Sequence, residues 1–161
     1  MVIVYAVKGF DGANLPLDNP LQVPAHRYSG RVLASGKEAV RTTPKFERGR
    51  LLGDVVFVSG TAAIKGEDSE FSEDTRVQAL GAIDVVEHLV APSNISPNCS
   101  AFRFGYLRVY VRRPQDLEPV REMFISHFRD TPIHFLQADI CRPELLLDLE
   151  GVGRALPFLK P

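Results

Sequence analysis

The run ADICRPELLLDLEG, residues 138–151, gathers four acids, a thiol and a guanidinium. Read as a strand, residues 144–150 send Leu145, Leu147 and Leu149 one way and Leu146, Asp148 and Glu150 the other. The two carboxyl groups then share a face about 7 Å apart. Beside leucines and a second negative charge, one of them would hold its proton above the ordinary range and act as a general acid. On an edge strand the same pair would simply sit in water. Cys141 needs a histidine base within reach to be a nucleophile, and is otherwise an inert, buried thiol. Along AFRFGYLRVYVRR, residues 101–113, Arg108, Tyr110 and Arg112 line one face. They would clamp an anionic ligand, or pair with the acids just named. Ser59-Gly60-Thr61 closes an apolar strand with a glycine, which lets a ligand approach the backbone or makes a turn.

Other chemistries find less support. The formal net charge is −1 and the basic residues are scattered, which argues against a nucleic-acid partner. Arginine greatly outnumbers lysine, a bias that suits bidentate recognition of planar carboxylates. Cys99 and Cys141 make neither a disulfide framework nor a zinc pattern. His26, His88, His127 and His134 lack the spacing of a metal site, so no metal is expected. No run approaches the roughly 18 apolar residues of a membrane span. MVIVYAVKGF reads as a first strand and not a signal peptide, and a cytoplasmic location is expected.

The elements that must position these residues follow from periodicity. The 161 residues, 45% apolar and 24% charged, suit one domain with its own core. Residues 9–45 are rich in Gly, Pro and Asn and are expected to be irregular, with the core over 46–152. A central strand is predicted over 54–60, apolar on both faces. A polar turn follows at 65–70, then a helix capped by Ser72 with Glu73 and Asp74 in its first turn. Val77, Leu80, Ile83, Val86 and Val90 form its apolar stripe, and it runs to about Ala91. After a polar loop at 94–100 comes the long strand, with a bulge at Gly105 where the apolar phase switches to Leu107, Val109 and Val111. A second helix starts near Pro114 and buries Leu117, Val120, Phe124 and Phe128. Strands over 133–140 and 144–150, joined by a tight Cys141-Arg142-Pro143 connection, complete the pattern. The predicted fold class is α+β, a two-layer mixed sheet with two helices on one face. The uncovered face favours a symmetric oligomer.

VFVSGTAAI, the helix containing Gln78, LRVYVRRPQD and PIHFLQADICRPELLLDLEG, taken in order, resemble the catalytic half of the chorismatases, enzymes that remove the enolpyruvyl ether of chorismate. NPLQVPAHRY at 19–28 resembles the N-P-x-Q-V-x-A-x-x-Y segment of the same family. More broadly, SGTA and the final D-L-E-G strand resemble the Rid superfamily, the YjgF-like enamine and imine deaminases. Those are homotrimers with ligand sites between subunits.

The resemblance implies a homotrimer acting on a small carboxylate, without a cofactor. The position of the chorismatase proton donor, the first glutamate of E-I-E-G, falls on Asp148, with Glu150 beside it. Arg142, Arg108 and Tyr28 become candidates for gripping substrate carboxylates, Cys141 for lining the pocket, and Gly60 with Thr61 for backbone approach. Tyr110 lies beside Arg108. Chorismatases carry a second Rid-like domain in front of this one; none is expected here, so another copy of the chain is expected to complete any cleft. A Rid-type imine deaminase is the alternative, although its carboxylate-binding arginine is replaced here by His134 in PIHF. A non-catalytic trimer that binds small carboxylates is the third reading.

Overall fold

The computed structural model describes residues 7–29, 44–69 and 73–158. The Ser72 cap and most of the expected N-terminal strand lie outside them. In chain order come strands β1 (Asn14–Leu17), β2 (Gly49–Leu52), β3 (Val55–Thr61), β4 (Ile64–Lys65) and β5 (Asp68–Ser69), and helices α1 (Thr75–Leu89) and α2 (Pro92–Ile95). Strand β6 (Cys99–Val111), helix α3 (Leu117–His127) and strands β7 (Ile133–Gln137) and β8 (Leu147–Pro157) follow. Among the described residues six strands form one mixed sheet in the order β1-β2-β3-β8-β6-β7, antiparallel except for the β6–β7 pair. β4 and β5 form a separate ribbon.

Both long helices pack on one face of the sheet. The core joins Val56, Val58, Leu107, Val109, Leu147 and Leu149 of the sheet to Ala82, Val86 and Leu89 of α1 and to Val120 and Phe124 of α3. Each large aliphatic or aromatic side chain buried there contributes about 1.5–3 kcal/mol. The other sheet face carries Phe57, Tyr106, Arg108, Glu150 and Val152, all half-buried in the single chain. Among the described residues no helix is long and apolar enough to cross a membrane.

The bulge expected at Gly105 is present: the β6–β8 register shifts between Phe104 and Tyr106. Opposite it the strands run so close that a Cβ on Gly151 would come within 2.7 Å of Leu107 Cδ2 and 2.8 Å of the Tyr106 carbonyl. Several local expectations need correction. Within the 9–45 segment expected to be irregular, Asn14-Leu15-Pro16 is edge strand, where proline's missing N–H costs no ladder bond. β3 buries Val56 and Val58 but leaves Val55 and Phe57 half-buried, because helices cover only one face. Part of the expected loop at 94–100 is helical, and β6 already begins at Cys99.

Helix α1 buries Ile83, Val86 and Val90 as expected, but its first turns are rotated from the expected phase. Asp74 is its N-cap and accepts from the Arg76 amide at 2.8 Å. Val77 and Leu80 are exposed, while Ala79, Ala82 and Val86 face the sheet. Small residues let the helix approach closely, and the same rotation turns Gln78 inward. Its Nε2 donates to the Glu144 carbonyl at 2.8 Å and its Oε1 accepts from the Leu146 amide at 2.8 Å.

Those two bonds matter because residues 138–146 form neither strand nor helix. The expected tight connection at 141–143 is absent: β6 lies between β7 and β8, so the chain crosses an intervening strand before β8 starts at Leu147. Leu145 and Leu146 are accordingly both buried instead of alternating. Gln78→Leu strands two backbone groups, and the expected cost is about 2–4 kcal/mol. A lowered urea midpoint at unchanged m-value is the check, and a midpoint equal to the parent would reject the role.

Candidate active site

A cavity of about 360 Å³ opens where β3, β8 and the 138–146 loop meet the segments before β2. Gly60, Ala62 and Ile64 form one side, Cys141, Arg142 and Asp148 a second, and Tyr28, Phe46 and Arg48 a third. Of the residues singled out from the sequence, the structure therefore brings Tyr28, Gly60, Cys141, Arg142 and Asp148 together.

The β3–β8 register slips between Val58/Gly151 and Thr61/Leu149, and Gly60 sits in that irregularity. The missing side chain leaves room for an acid: a Cβ on Gly60 would lie 2.9 Å from Asp148 Oδ2. Asp148 Oδ1 accepts the Leu149 amide at 2.8 Å. Burial in the cavity wall pushes its pKa up to about 7, helped by the neighbouring Glu150 charge and opposed by the Leu149 and Thr61 amides and the Arg48 charge. Near neutral pH this group is poised between acid and carboxylate.

Two guanidinium groups flank Tyr28. Arg48, only 3% exposed, lies 5.4 Å from the tyrosine ring centroid and Arg142 lies 5.3 Å from it. Arg48 also stands 5.2 Å from the Phe46 ring, and its Nη2 donates to the Tyr28 hydroxyl and to the Val23 carbonyl. Arg142 Nη1 donates to the Glu67 carbonyl at 2.9 Å and the Ser69 hydroxyl at 3.0 Å. Arg48 Nε and Arg142 Nη2 are buried and have no hydrogen-bond partner among the described residues. Guanidinium groups that line a cavity are suited to a carboxylate.

Tyr28 reaches the cavity because residues 19–28 are tied to α1 and to the ribbon. Asn19 Nδ2 donates to the Val85 carbonyl at 2.8 Å, Gln22 Nε2 donates to the Ile64 carbonyl at 3.1 Å, and the Val23 amide donates to the Gly66 carbonyl at 2.8 Å. Arg48 was missed in the sequence, where nothing in KFERGR separates it from a surface arginine. Its importance comes from burial alone.

The other candidates lie elsewhere. Glu150 points to a smaller hollow of about 80 Å³ on the uncovered sheet face, shared with Arg108 and Tyr106. It accepts the Tyr110 hydroxyl at 2.6 Å and pairs with Arg108 at 3.0 Å. Burial raises the Tyr110 pKa, and the Tyr106 hydroxyl, with Glu150, holds Arg108 firmly protonated. In the single chain Arg108 and Tyr110 thus do not line the 360 Å³ cavity. Thr61 is buried, and its hydroxyl donates to the Ser59 carbonyl at 2.8 Å. Its amide serves Asp148, not an open ligand position. Cys141 is exposed as a residue, but desolvation at the cavity wall and the Asp148 charge push its thiol up, against the pull of Arg142. His134 is exposed on β7.

A wider hollow of about 460 Å³ lies between α1 and α3. It is open, and His127 there is already bonded to Glu87 at 2.7 Å, so it lacks the converging polar groups of the first cavity. No cluster of three or more metal-ligating side chains occurs among the described residues.

The Asp148 pKa, about 7 against an ordinary 3.8, makes the folded protein bind more protons than the unfolded chain between those values. Stability therefore falls as pH rises through that window and stays low above it. Asp148→Asn escapes this loss. Its stability relative to the parent should improve by about 2–3 kcal/mol between about pH 5 and about pH 8.5. Urea denaturation at the two pH values is the measurement, and an unchanged difference would contradict the buried acid.

No family model matches the chain. A 3-hydroxybenzoate synthase of Streptomyces hygroscopicus is 32% identical over 94% of this chain and 46% of that protein. The crystal structure of a chorismatase superposes with a TM-score of 0.75 at 28% identity, covering 88% of this chain and 44% of the other. Yeast Mmf1 superposes with a TM-score of 0.65 at 13% identity, over 89% of this chain and all of that one, and so shares the fold. The chain spans about half the length of the curated relatives it matches. With an acid-bearing cavity on this framework, the chain is similar over most of its length to chorismatase-type proteins and shares its fold with yeast Mmf1.

Proposed function

We propose that the protein cleaves the enolpyruvyl ether of chorismate, or of a closely related cyclic carboxylate, by general-acid protonation. The observation that carries this reading is a proton-bearing Asp148 in one cavity with Arg48 and Arg142, whose guanidinium groups suit carboxylates. The cavity volume, about 360 Å³, falls within the range of small-molecule sites. Likeness to a 3-hydroxybenzoate synthase and to chorismatases supports the substrate class.

Asp148 delivers its proton to the enolpyruvyl methylene carbon, which becomes a methyl group. Positive charge is then shared by the adjacent carbon and the ether oxygen. Water adds to that carbon and returns one proton to Asp148. The resulting hemiketal breaks its bond to the ring oxygen and releases pyruvate and the ring alcohol. Arg48 and Arg142 hold carboxylates against the acid, and the Gly60 backbone leaves the space the acid occupies. Glu150, fixed by Arg108 and Tyr110, keeps a negative charge near Asp148 and so favours its protonated form.

Copies of the chain complete the site, in this reading, as a homotrimer in the cytoplasm. The half-buried polar face with Tyr106, Arg108 and Glu150 is the surface that a second copy would cover. Static light scattering should give three times the chain mass, and a monomer would reject the assembly.

Incubation with chorismate, with pyruvate followed by a coupled dehydrogenase, tests the chemistry. Asp148→Asn should lower turnover about 10²–10⁴-fold. Because the acid must carry its proton, kcat/KM should fall about tenfold per pH unit above about pH 7. Pyruvate release no faster than in the Asp148→Asn variant would sink the proposal, and ammonia release from 2-iminobutyrate in its place would point to a deaminase.

A further inference from the structure

The 138–146 loop has no ladder or helix of its own, yet it carries Cys141 and Arg142 to the cavity. Backbone carbonyls in such a stretch need partners. Three of them find the same one. Arg112, directly after β6, donates through Nη2 to the Ile140 carbonyl at 2.7 Å and the Arg142 carbonyl at 3.0 Å, and through Nη1 to the Pro143 carbonyl. Its backbone amide donates to the Leu146 carbonyl at 2.9 Å. Its Nε stands 3.9 Å from the exposed Asp139 carboxylate.

One rigid fork therefore holds both sides of the turn. Arg112 does not itself line the cavity. Arg142, by contrast, lines the cavity and is tethered at one end only: Nη1 is bound to Glu67 and Ser69, and Nη2 has no partner among the described residues. Where its guanidinium points depends on where the turn sits.

We propose that Arg112 is a positioning residue: by binding the carbonyls of Ile140, Arg142 and Pro143 it sets the turn that presents Arg142 to a bound carboxylate. The reaction it serves is the one proposed above, so its kinetic consequence rests on that reading. Lysine cannot take its place, because one ammonium on a flexible stem does not span three carbonyls in fixed geometry.

The two cysteines offer a readout that needs no substrate. Cys141 lies on the turn and is exposed, while Cys99 is buried in the core. Under native conditions, alkylation of Arg112→Gln by iodoacetamide, mapped by peptide mass spectrometry, should modify Cys141 about tenfold faster than in the parent while Cys99 stays protected. Added guanidinium ion should slow it again. With chorismate, KM should rise about tenfold with kcat within about threefold of the parent, since binding and not protonation is disturbed.

An unchanged Cys141 rate in the folded variant overturns the proposal, as does a lowered kcat at constant KM. If Cys99 also becomes reactive, the milder Arg112→Lys decides: faster Cys141 labelling with Cys99 protected supports the role, and parental labelling rejects it. If the parent protein releases no pyruvate, the functional reading has failed, and the ratio of Cys141 to Cys99 labelling still settles whether Arg112 holds the turn.

Discussion

The site depends on one close approach, the carboxyl of Asp148 against the backbone of Gly60. Any side chain at position 60 would meet that carboxyl within 2.9 Å. The slip in register between Val58 and Thr61 makes the glycine the residue beside the acid. Packed there, Asp148 loses more hydration than the Leu149 and Thr61 amides return, and its pKa rises to about 7. The same burial that costs folding stability at alkaline pH supplies a proton donor near neutrality. Asp148 is a case of local destabilisation retained where chemistry can use it.

Around this acid the backbone is held by side chains more than by secondary structure. Gln78 binds the lead-in to β8, Arg112 the turn before it, and Asn19 and Gln22 the segment that delivers Tyr28. Hydrogen bonding offsets much of their burial, although Gln22 Oε1 and Arg112 Nε are buried without a hydrogen-bond partner among the described residues. The arrangement concentrates arginines: Arg48 and Arg142 flank Tyr28, and Arg112 lies behind them, bonded to Arg142's own carbonyl. Guanidinium groups tolerate such crowding because they are weakly hydrated and stack on aromatic rings.

The relatives give this geometry a scale. The chain matches about half of a chorismatase-type protein, and at lower identity it has the fold of a whole YjgF-like chain such as yeast Mmf1. One such unit contains the acid, the cavity and two of the cations that could hold a carboxylate. Its polar sheet face, with the Arg108–Glu150–Tyr110 group, is bonded internally and yet only half-buried.

Much of this was legible in the sequence. Period-two and period-3.6 patterns placed the central strand, both long helices and the bulge at Gly105, because these features depend on neighbours along the chain. The same alternation put Asp148 and Glu150 on one face. It did not separate them into two hollows, since that depends on which strands lie beside β8. Nor did it find Arg48, whose significance is its burial against Tyr28 and Phe46, or the true phase of the first turns of α1, which Gln78 and the small residues around it set by packing. Strands over 133–140 and 144–150 were expected with a tight 141–143 connection because their apolar patterns nearly meet; residues 138–146 instead form a loop, and β6 lies between β7 and β8. Local periodicity thus determined the elements and the faces their side chains share. Long-range pairing alone decided which faces meet, which charges lose their water, and so which acid keeps its proton.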